Sequence, residues 1–119
     1  MNYDDFMPKS TFQYTMTVRM RDIDPYGIVN NSEYFSFFEA ARIDAVRRLD
    51  LSVQDFLDSF VLCSVDCKFV NSLTLMDTAL VTTVIQLYNK ESMALEFKQQ
   101  ISNQNNLLIA KADSEYQLK

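Results

Sequence analysis

The alternation of apolar and polar residues predicts most of the secondary structure. Residues 12–20 carry an apolar side chain at every second position, which is typical of a strand with one buried face. Over residues 32–50 the apolar positions instead cover most of a helical circumference, which predicts a long, largely buried helix. We expect water to reach only a strip of this helix near Glu33, Ser36, Asp44 and Arg47.

The second half of the chain predicts a short helix followed by four strands. The helix is expected over 53–58. The strands are expected at about 61–69, 79–88, 93–101 and 108–116, and the connections near 89–91 and 103–106 are short and polar, as in hairpins. The order of elements predicts one α+β domain over 1–119, with a mostly antiparallel sheet and one long helix.

The loop between the first strand and the long helix contains candidate catalytic groups. It includes Asp24 and Gly27, the only glycine of the chain, and Asn30 followed three residues later by Glu33 resembles a capping box. The first N–H groups of a helix lack intrahelical partners and carry partial positive charge. A carboxylate beside them would attack a carbonyl or activate water while the N–H groups bind the oxyanion. The same residues are also ordinary turn formers, so the loop alone leaves both interpretations open.

Composition narrows the classes of function. The net charge of −5 argues against a nucleic-acid binder. No apolar stretch is long enough to cross a bilayer, and Met1–Asp5 lacks the features of a signal peptide, so we expect a short frayed lead-in to a cytoplasmic domain.

The chain has no histidine, which excludes Ser-His-Asp, Cys-His and His-ligated metal chemistry. Cys63 and Cys67 lie four residues apart in a predicted strand. Their Cα atoms would be about 13 Å apart at ~3.3 Å per residue, too far for a disulfide. With no histidine to complete a zinc site, we interpret both as small core residues and expect no metal and no cofactor.

Residues 19–42 resemble the signature of the 4-hydroxybenzoyl-CoA thioesterase group of hotdog proteins. The match includes the Asp-x-Asp ending at Asp24, then Gly27, Val29 and Tyr34, and a Glu-x-Ala-Arg ending at Arg42. The rest of the chain matches in layout. The resemblance implies the hotdog fold, a five-stranded antiparallel sheet wrapped around one long central helix. It also implies hydrolysis of an acyl thioester, an acyl-CoA or an acyl carrier protein thioester.

The resemblance also assigns roles within the loop. It implies that Asp24 is the catalytic carboxylate and that the backbone N–H of Asn31 polarises the thioester carbonyl. It implies substrate contacts from Gly27, Asn30 and Tyr34, with Gly27 in a tight turn at positive φ. Two alternatives stay open from the residues themselves: Asn30, where some relatives carry histidine, is a helix cap or a substrate contact, and Tyr34 is a core residue or faces the ligand.

Four positions outside the loop carry further expectations. Glu39 and Arg42 match the signature and are expected to form a structural i,i+3 pair. Lys68 and Lys90 are the basic residues expected nearest the phosphates of CoA. Ser72 stands where the family commonly has proline.

Two functions remain open, a thioesterase and a non-catalytic hotdog module that binds acyl-CoA or acts as an assembly partner. The retained Asp24 favours the enzyme, because a pure binder does not need that carboxylate. A hotdog hydratase is disfavoured by the absence of histidine. The uncovered edges of a five-stranded sheet and the resemblance together predict a homodimer or homotetramer whose sheets join edge to edge.

Overall fold

The computed structural model describes residues 11–89 and 91–119. The expectations for Met1–Asp5 and Lys90 lie outside this part of the chain. The elements are β1 (Thr11–Thr17), α1 (Asn31–Arg48), α2 (Val53–Ser59), β2 (Phe60–Phe69), β3 (Thr78–Asn89), β4 (Ala94–Ser102) and β5 (Leu108–Leu118). The predicted strands and helices are therefore all present, with boundaries moved by a few residues.

The strands form one antiparallel sheet in the order β1-β3-β4-β5-β2. The three C-terminal strands make the middle as successive neighbours, and β1 and β2 are the two edges. This confirms the predicted five-stranded antiparallel sheet. Helices α1 and α2 pack on one face of it, while the opposite face carries the polar side chains of the alternating strands.

Helix α1 is buried along one side only. The buried residues recur at spacings of three and four, and they are Tyr34, Phe37, Phe38, Ala41, Arg42, Ala45 and Val46. Phe35 is 43% exposed, and Ser36 and Glu39 are also exposed. The expectation of a helix buried around most of its circumference is therefore corrected, because one sheet covers one side of an 18-residue helix.

The ends of α1 are fixed by local hydrogen bonds. The side chain of Asn30 accepts from the N–H of Ser32 at 3.1 Å. The N–H of Glu33 donates to the carbonyl of Asn30 at 2.9 Å, so the expected capping box is replaced by an Asn30 cap on Ser32. At the other end Asp50 has a φ of +59°, which ends the helix before the predicted boundary.

A buried polar layer lies between two apolar clusters beneath α1. Arg42 donates from Nε to the hydroxyl of Tyr116 at 3.0 Å and from Nη1 to Gln99 and Ser114, both at 3.2 Å. Gln99 in turn donates to Thr83 at 3.0 Å. Glu39 is exposed while Arg42 is buried, and no ion pair joins them among the described residues, so the predicted Glu39–Arg42 pair is wrong. The guanidinium is satisfied by neutral groups of the sheet instead.

The two cysteines lie on the edge strand β2. Cys67 is half-buried and packs against the core, as expected of a small core residue, whereas Cys63 is exposed, which corrects the same expectation for that residue. The reason is the strand order, because an edge strand has a neighbour on one side only. Burial and the charge of Asp66 raise the pKa of the Cys67 thiol.

Among the described residues, no helix combines the length and apolar character required to cross a membrane.

Candidate active site

Asp22 anchors the base of the loop. It ends a short 3-10 turn, Met20–Asp22, at the point where the first strand was predicted to end. Its carboxylate is 2% exposed and accepts from the backbone N–H of Arg19 at 2.9 Å and from Arg19 Nε at 3.3 Å. Its carbonyl accepts from the N–H of Asn30 at 3.3 Å. Both ends of the loop are thus tied to Asp22, and its carboxylate is committed to structure.

The loop itself is a miniature hairpin. Ile23 bridges Val29 in antiparallel fashion, and the N–H of Asp24 donates to the carbonyl of Ile28 at 2.8 Å. The turn closes with the N–H of Gly27 donating to the carbonyl of Asp24 at 3.0 Å. Gly27 has a φ of +81° with nothing within 4 Å of a Cβ built there. The predicted positive φ is confirmed, and glycine is required for this backbone conformation rather than for space.

The carboxylate of Asp24 is only partly used by the turn. Its Oδ1 accepts from the N–H of Tyr26 at 2.8 Å and of Ile28 at 3.4 Å. Within the described ranges no donor reaches Oδ2, and the residue is half-buried. The turn therefore fixes the orientation of the carboxylate and leaves one oxygen available.

The first turn of α1 leaves one backbone donor available. Asn30 occupies the N–H groups of Ser32 and Glu33, as described above. The N–H of Asn31 has no acceptor in the part of the chain that the structure describes, and Asn31 is exposed. Partial positive charge gathers at such a helix start, so this N–H is suited to binding an oxyanion.

The segment 70–77 holds the hairpin in place. The N–H of Val29 donates to the carbonyl of Leu73 at 2.9 Å, and Ile28 bridges Thr74. The N–H of Leu73 donates to the hydroxyl of Tyr34 at 2.9 Å. Ser72, at the position where the family commonly has proline, is exposed in the same segment. The hairpin is therefore clamped between the helix and this segment.

Tyr34 has no exposed surface, which supports the core interpretation over the ligand-facing one. Its ring lies edge-on to Phe37 at 6.0 Å. Burial raises the pKa of its hydroxyl, against the opposing effect of the Leu73 N–H and with a further rise from the charge of Asp77. Tyr34 thus supports the loop through Leu73 rather than presenting its side chain to a ligand.

The turn that shapes segment 70–77 was not predicted from the sequence. The carboxylate of Asp77 accepts from the N–H of Thr74 at 2.8 Å and from Gln104 Nε2 at 2.8 Å. These donors, the Thr74 N–H first, lower the pKa of Asp77 below its ordinary value of 3.8. A signal was present in the sequence, since Thr and Asp three residues apart favour such a side-chain-capped turn.

Lys68 lies apart from the hairpin. Its side chain is exposed on the outer face of the sheet, directly opposite Lys111 of β5. A cavity of about 630 Å³ on that face is lined by Lys68, Lys98 and Lys111 among others, and not by Asp24. The structure therefore groups Lys68 with the other outer-face lysines and not with the loop.

The sequence matches the family described as the thioesterase-like superfamily over residues 18–115. The chain belongs to this superfamily. As a member it is a thioester hydrolase of hotdog fold, in agreement with the resemblance of residues 19–42. No sequence among curated proteins matches it.

Solved structures of thioesterases share the fold. A 1,4-dihydroxy-2-naphthoyl-CoA thioesterase from Synechocystis superimposes with a TM-score of 0.83 at 21% identity, over 92% of this chain and 82% of that one. A probable thioesterase from Bartonella henselae gives 0.82 at 18% identity, over 92% of both chains. A Thermus thermophilus thioesterase complexed with coenzyme A and Zn gives 0.78 at 24% identity, over 88% and 76%.

Proposed function

We propose that this thioesterase hydrolyses an acyl-CoA, using Asp24 as the catalytic carboxylate and the Asn31 N–H as the oxyanion donor. One observation carries the proposal. Asp24 Oδ2 and the Asn31 N–H have no partner among the described residues, whereas Asp24 Oδ1 and the N–H groups of Ser32 and Glu33 are bonded within the loop. An acceptor that attacks and a donor that binds the oxyanion are the two groups this hydrolysis needs.

The reaction follows one of two routes from this arrangement. The thioester oxygen accepts the Asn31 N–H, which makes the carbonyl carbon more electrophilic. Either Asp24 attacks that carbon, expels the thiolate and forms an anhydride that water hydrolyses, or Asp24 takes a proton from a water that attacks directly. Both routes give the free acid and the thiol, and neither requires a metal or a cofactor.

The proposed substrate class is based on the substrates and ligands of structural neighbours. The Synechocystis neighbour is a thioesterase of an acyl-CoA, and the Thermus neighbour is complexed with coenzyme A. We infer that coenzyme A carries the acyl group here, with an acyl carrier protein thioester as the alternative carrier. Gly27 and the exposed Asn30 lie between Asp24 and the helix start along the chain, so they are the proposed substrate contacts.

The proposed enzyme is a homodimer, or a homotetramer built from dimers, in the cytoplasm. Strands β1 and β2 leave their outer edges unpaired within the described chain, and unpaired edges favour strand addition. The loop region is also open, with Tyr26 89% and Met76 72% exposed. A second copy joined edge to edge would supply the missing wall of the site.

One observation favours the alternative, a non-catalytic module that binds acyl-CoA. Asp24 Oδ1 already accepts two backbone N–H groups, as an aspartate kept only for its turn would do. The free Oδ2 and the uncapped Asn31 N–H favour the enzyme, because a purely structural turn needs neither.

A panel of aromatic and aliphatic acyl-CoAs tests the proposal. We expect free CoA, detected with a thiol reagent, to appear with at least one of them and to appear at an unchanged rate after treatment with EDTA. Calorimetric binding of an acyl-CoA without release of CoA would support the binding module instead. Activity that is lost on chelation and restored by a divalent ion would contradict the proposed mechanism.

A further inference from the structure

One row of side chains on the outer face of the sheet crosses all five strands and contains no carboxylate. Lys68 of β2 lies opposite Lys111 of β5, and Lys111 lies opposite Gln100 of β4. Thr82 of β3 lies on the other side of Gln100, and Gln13 of β1 lies opposite Thr82. Each of these five side chains can donate a hydrogen bond. This donor row, with two positive charges at its β2 end, is suited to binding an anion.

The two lysines of the donor row carry charge that the fold does not neutralise. Like charges directly opposite each other on neighbouring strands are destabilising. In the part of the chain that the structure describes, neither Lys68 nor Lys111 takes part in an ion pair. Lys98 on the same face does, since it contacts Glu96 at 3.3 Å and Asp113 at 3.9 Å. An anion bound between Lys68 and Lys111 would remove the repulsion between them.

The cavity of about 630 Å³ on the outer face is lined by four members of the donor row, Lys68, Lys111, Gln100 and Thr82. Sites for small molecules typically have volumes of about 300–1,000 Å³. Among the described residues that line this cavity, none is aromatic. An acyl chain or a flat aromatic ligand would therefore gain little here, and the lining favours a polar ligand.

The carboxylates beside the donor row narrow the class of anion. Asp66 and Asp113 also line the cavity, each two residues along its strand from a lysine of the row. With Lys98, the described lining carries three positive and two negative charges, which favours one phosphate group over a polyanion. Carboxylates accept hydrogen bonds from hydroxyl groups, and amide and hydroxyl side chains both donate and accept. Hydroxyl groups next to the phosphate would therefore match the rest of the lining.

We propose that this cavity binds a phosphorylated polyol such as a sugar phosphate, with its phosphate between Lys68 and Lys111. The hydroxyl groups of the ligand then reach Gln100 and Thr82. The cavity is separate from the proposed hydrolytic site, because Asp24 does not line it and α1 packs on the other face of the sheet. Binding here does not depend on the proposed hydrolysis.

Glucose-6-phosphate is a suitable probe, with glucose and inorganic phosphate as its two halves. We expect calorimetry to detect binding of glucose-6-phosphate, weaker binding of inorganic phosphate and no binding of glucose, because the charged contacts belong to the phosphate. Added salt should weaken the binding of both anions. In NMR spectra the amide shifts caused by the probe should cluster at Lys68, Gln100 and Lys111.

Removal of single charges locates the phosphate. Lys68→Gln and Lys111→Gln each keep a hydrogen-bonding side chain and remove one charge. We expect the Kd of either variant for both anions to rise roughly tenfold to a hundredfold. The thermal midpoint of the unliganded variants should stay the same or rise, because the repulsion between two lysines is removed. Lys119→Gln is the matched control, since it removes the same charge outside the cavity and should bind both anions like the wild type.

A neutral variant tests the contacts to the hydroxyl groups. Gln100→Ala removes an amide of the donor row and no charge. We expect its Kd for glucose-6-phosphate to rise about threefold to tenfold while its Kd for inorganic phosphate is unchanged. Equal weakening of both anions, or no weakening of either, would overturn the assignment of a polyol.

A phosphorylated polyol has two sources, a free metabolite and a lipid headgroup. Vesicles of phosphatidylglycerol in phosphatidylcholine separate them. Co-sedimentation of the wild type and of Lys119→Gln with these vesicles, but not of Lys68→Gln, would assign the headgroup. Binding of glucose-6-phosphate without co-sedimentation would assign the free metabolite.

Several results would overturn this site. One is the absence of any response to glucose-6-phosphate, and another is a response that Lys119→Gln weakens as much as Lys68→Gln does. Displacement of the probe by CoA, or its loss in Asp24→Asn, would assign the cavity to the substrate instead of a second ligand. A change of sedimentation in Lys68→Gln without a change in binding would mean that a second copy covers this face. Binding of the probe by a protein that releases no CoA would leave this site standing and remove the proposed hydrolysis.

Discussion

Two polar clusters of this protein use their hydrogen bonds in different ways. The buried layer at Arg42 joins the helix to three strands, and its Nε and Nη1 donors all have acceptors in the sheet. The Asp24 hairpin lies at the surface and retains one unpartnered carboxylate oxygen and one unpartnered N–H among the described residues. Arg42 and Asp24 both match the family signature, so the signature alone does not separate them.

The difference shows how a reactive group is distinguished from a structural one. A polar group bonded on all sides stabilises the fold but has nothing left to offer a substrate. Asp22 and Asp24 repeat the contrast at close range, since Asp22 is buried against Arg19 while Asp24 keeps a free oxygen. Unused hydrogen-bonding capacity beside a helix start is the property that favours Asp24 over Asp22 as the catalytic carboxylate.

The largest expected effect separates the two aspartates. Asp24→Asn keeps an acceptor for the Tyr26 and Ile28 N–H groups but removes the base or nucleophile. Because a positioned base contributes about 10²–10⁴-fold, kcat should fall by about that factor with little change in the denaturation midpoint. Asp22→Asn is the matched control, and it should lower stability through its bonds to Arg19 while activity per folded molecule persists.

A reversed outcome would be informative. If Asp22→Asn abolishes turnover in folded protein and Asp24→Asn does not, the catalytic carboxylate is misassigned by two residues. If neither substitution changes a measurable thioesterase rate, the carboxylate mechanism is wrong.

The next effect concerns the stability of the buried layer. Arg42→Ala removes the guanidinium that donates hydrogen bonds to Gln99, Ser114 and Tyr116, and it leaves a cavity. We therefore expect the free energy of unfolding to fall by about 2–4 kcal/mol. Arg47 of the same helix is 65% exposed and pairs with Asp44, so Arg47→Ala should cost about 0–1 kcal/mol. Urea denaturation measures both. Equal losses in the two variants would remove the contrast between the layer and the helix surface.

The smallest effect concerns the clamp that supports the hairpin. Tyr34→Phe leaves the buried Leu73 N–H without its acceptor, which should cost about 1–3 kcal/mol at neutral pH. The folded-state pKa of Tyr34 is raised, so its unfolded form ionises first as pH rises above 10.0 and the wild type loses this advantage there. The stability gap between the two proteins should therefore narrow at alkaline pH. A gap that widens instead would mean that Tyr34 ionises more readily in the folded state.

The sequence by itself determined the elements and the local conformation of the hairpin. Alternation and helical spacing located every strand and helix, because both depend on neighbours along the chain. The positive φ of Gly27 and the cap formed by Asn30 are also local. The sequence could likewise separate Asp24 from Asp22 as the candidate, although only by resemblance to a family.

Tertiary structure decided what depends on the order of strands. Cys63 and Cys67 are exposed or half-buried because β2 is an edge, which periodicity along one strand cannot reveal. Arg42 bonds to Gln99 and Ser114 rather than Glu39 because the sheet brings together residues far apart in the chain. The clamp of Tyr34 on Leu73 joins residues 39 apart in the chain for the same reason. A pattern reports which face of an element is apolar, and only the assembled sheet determines which groups meet on that face.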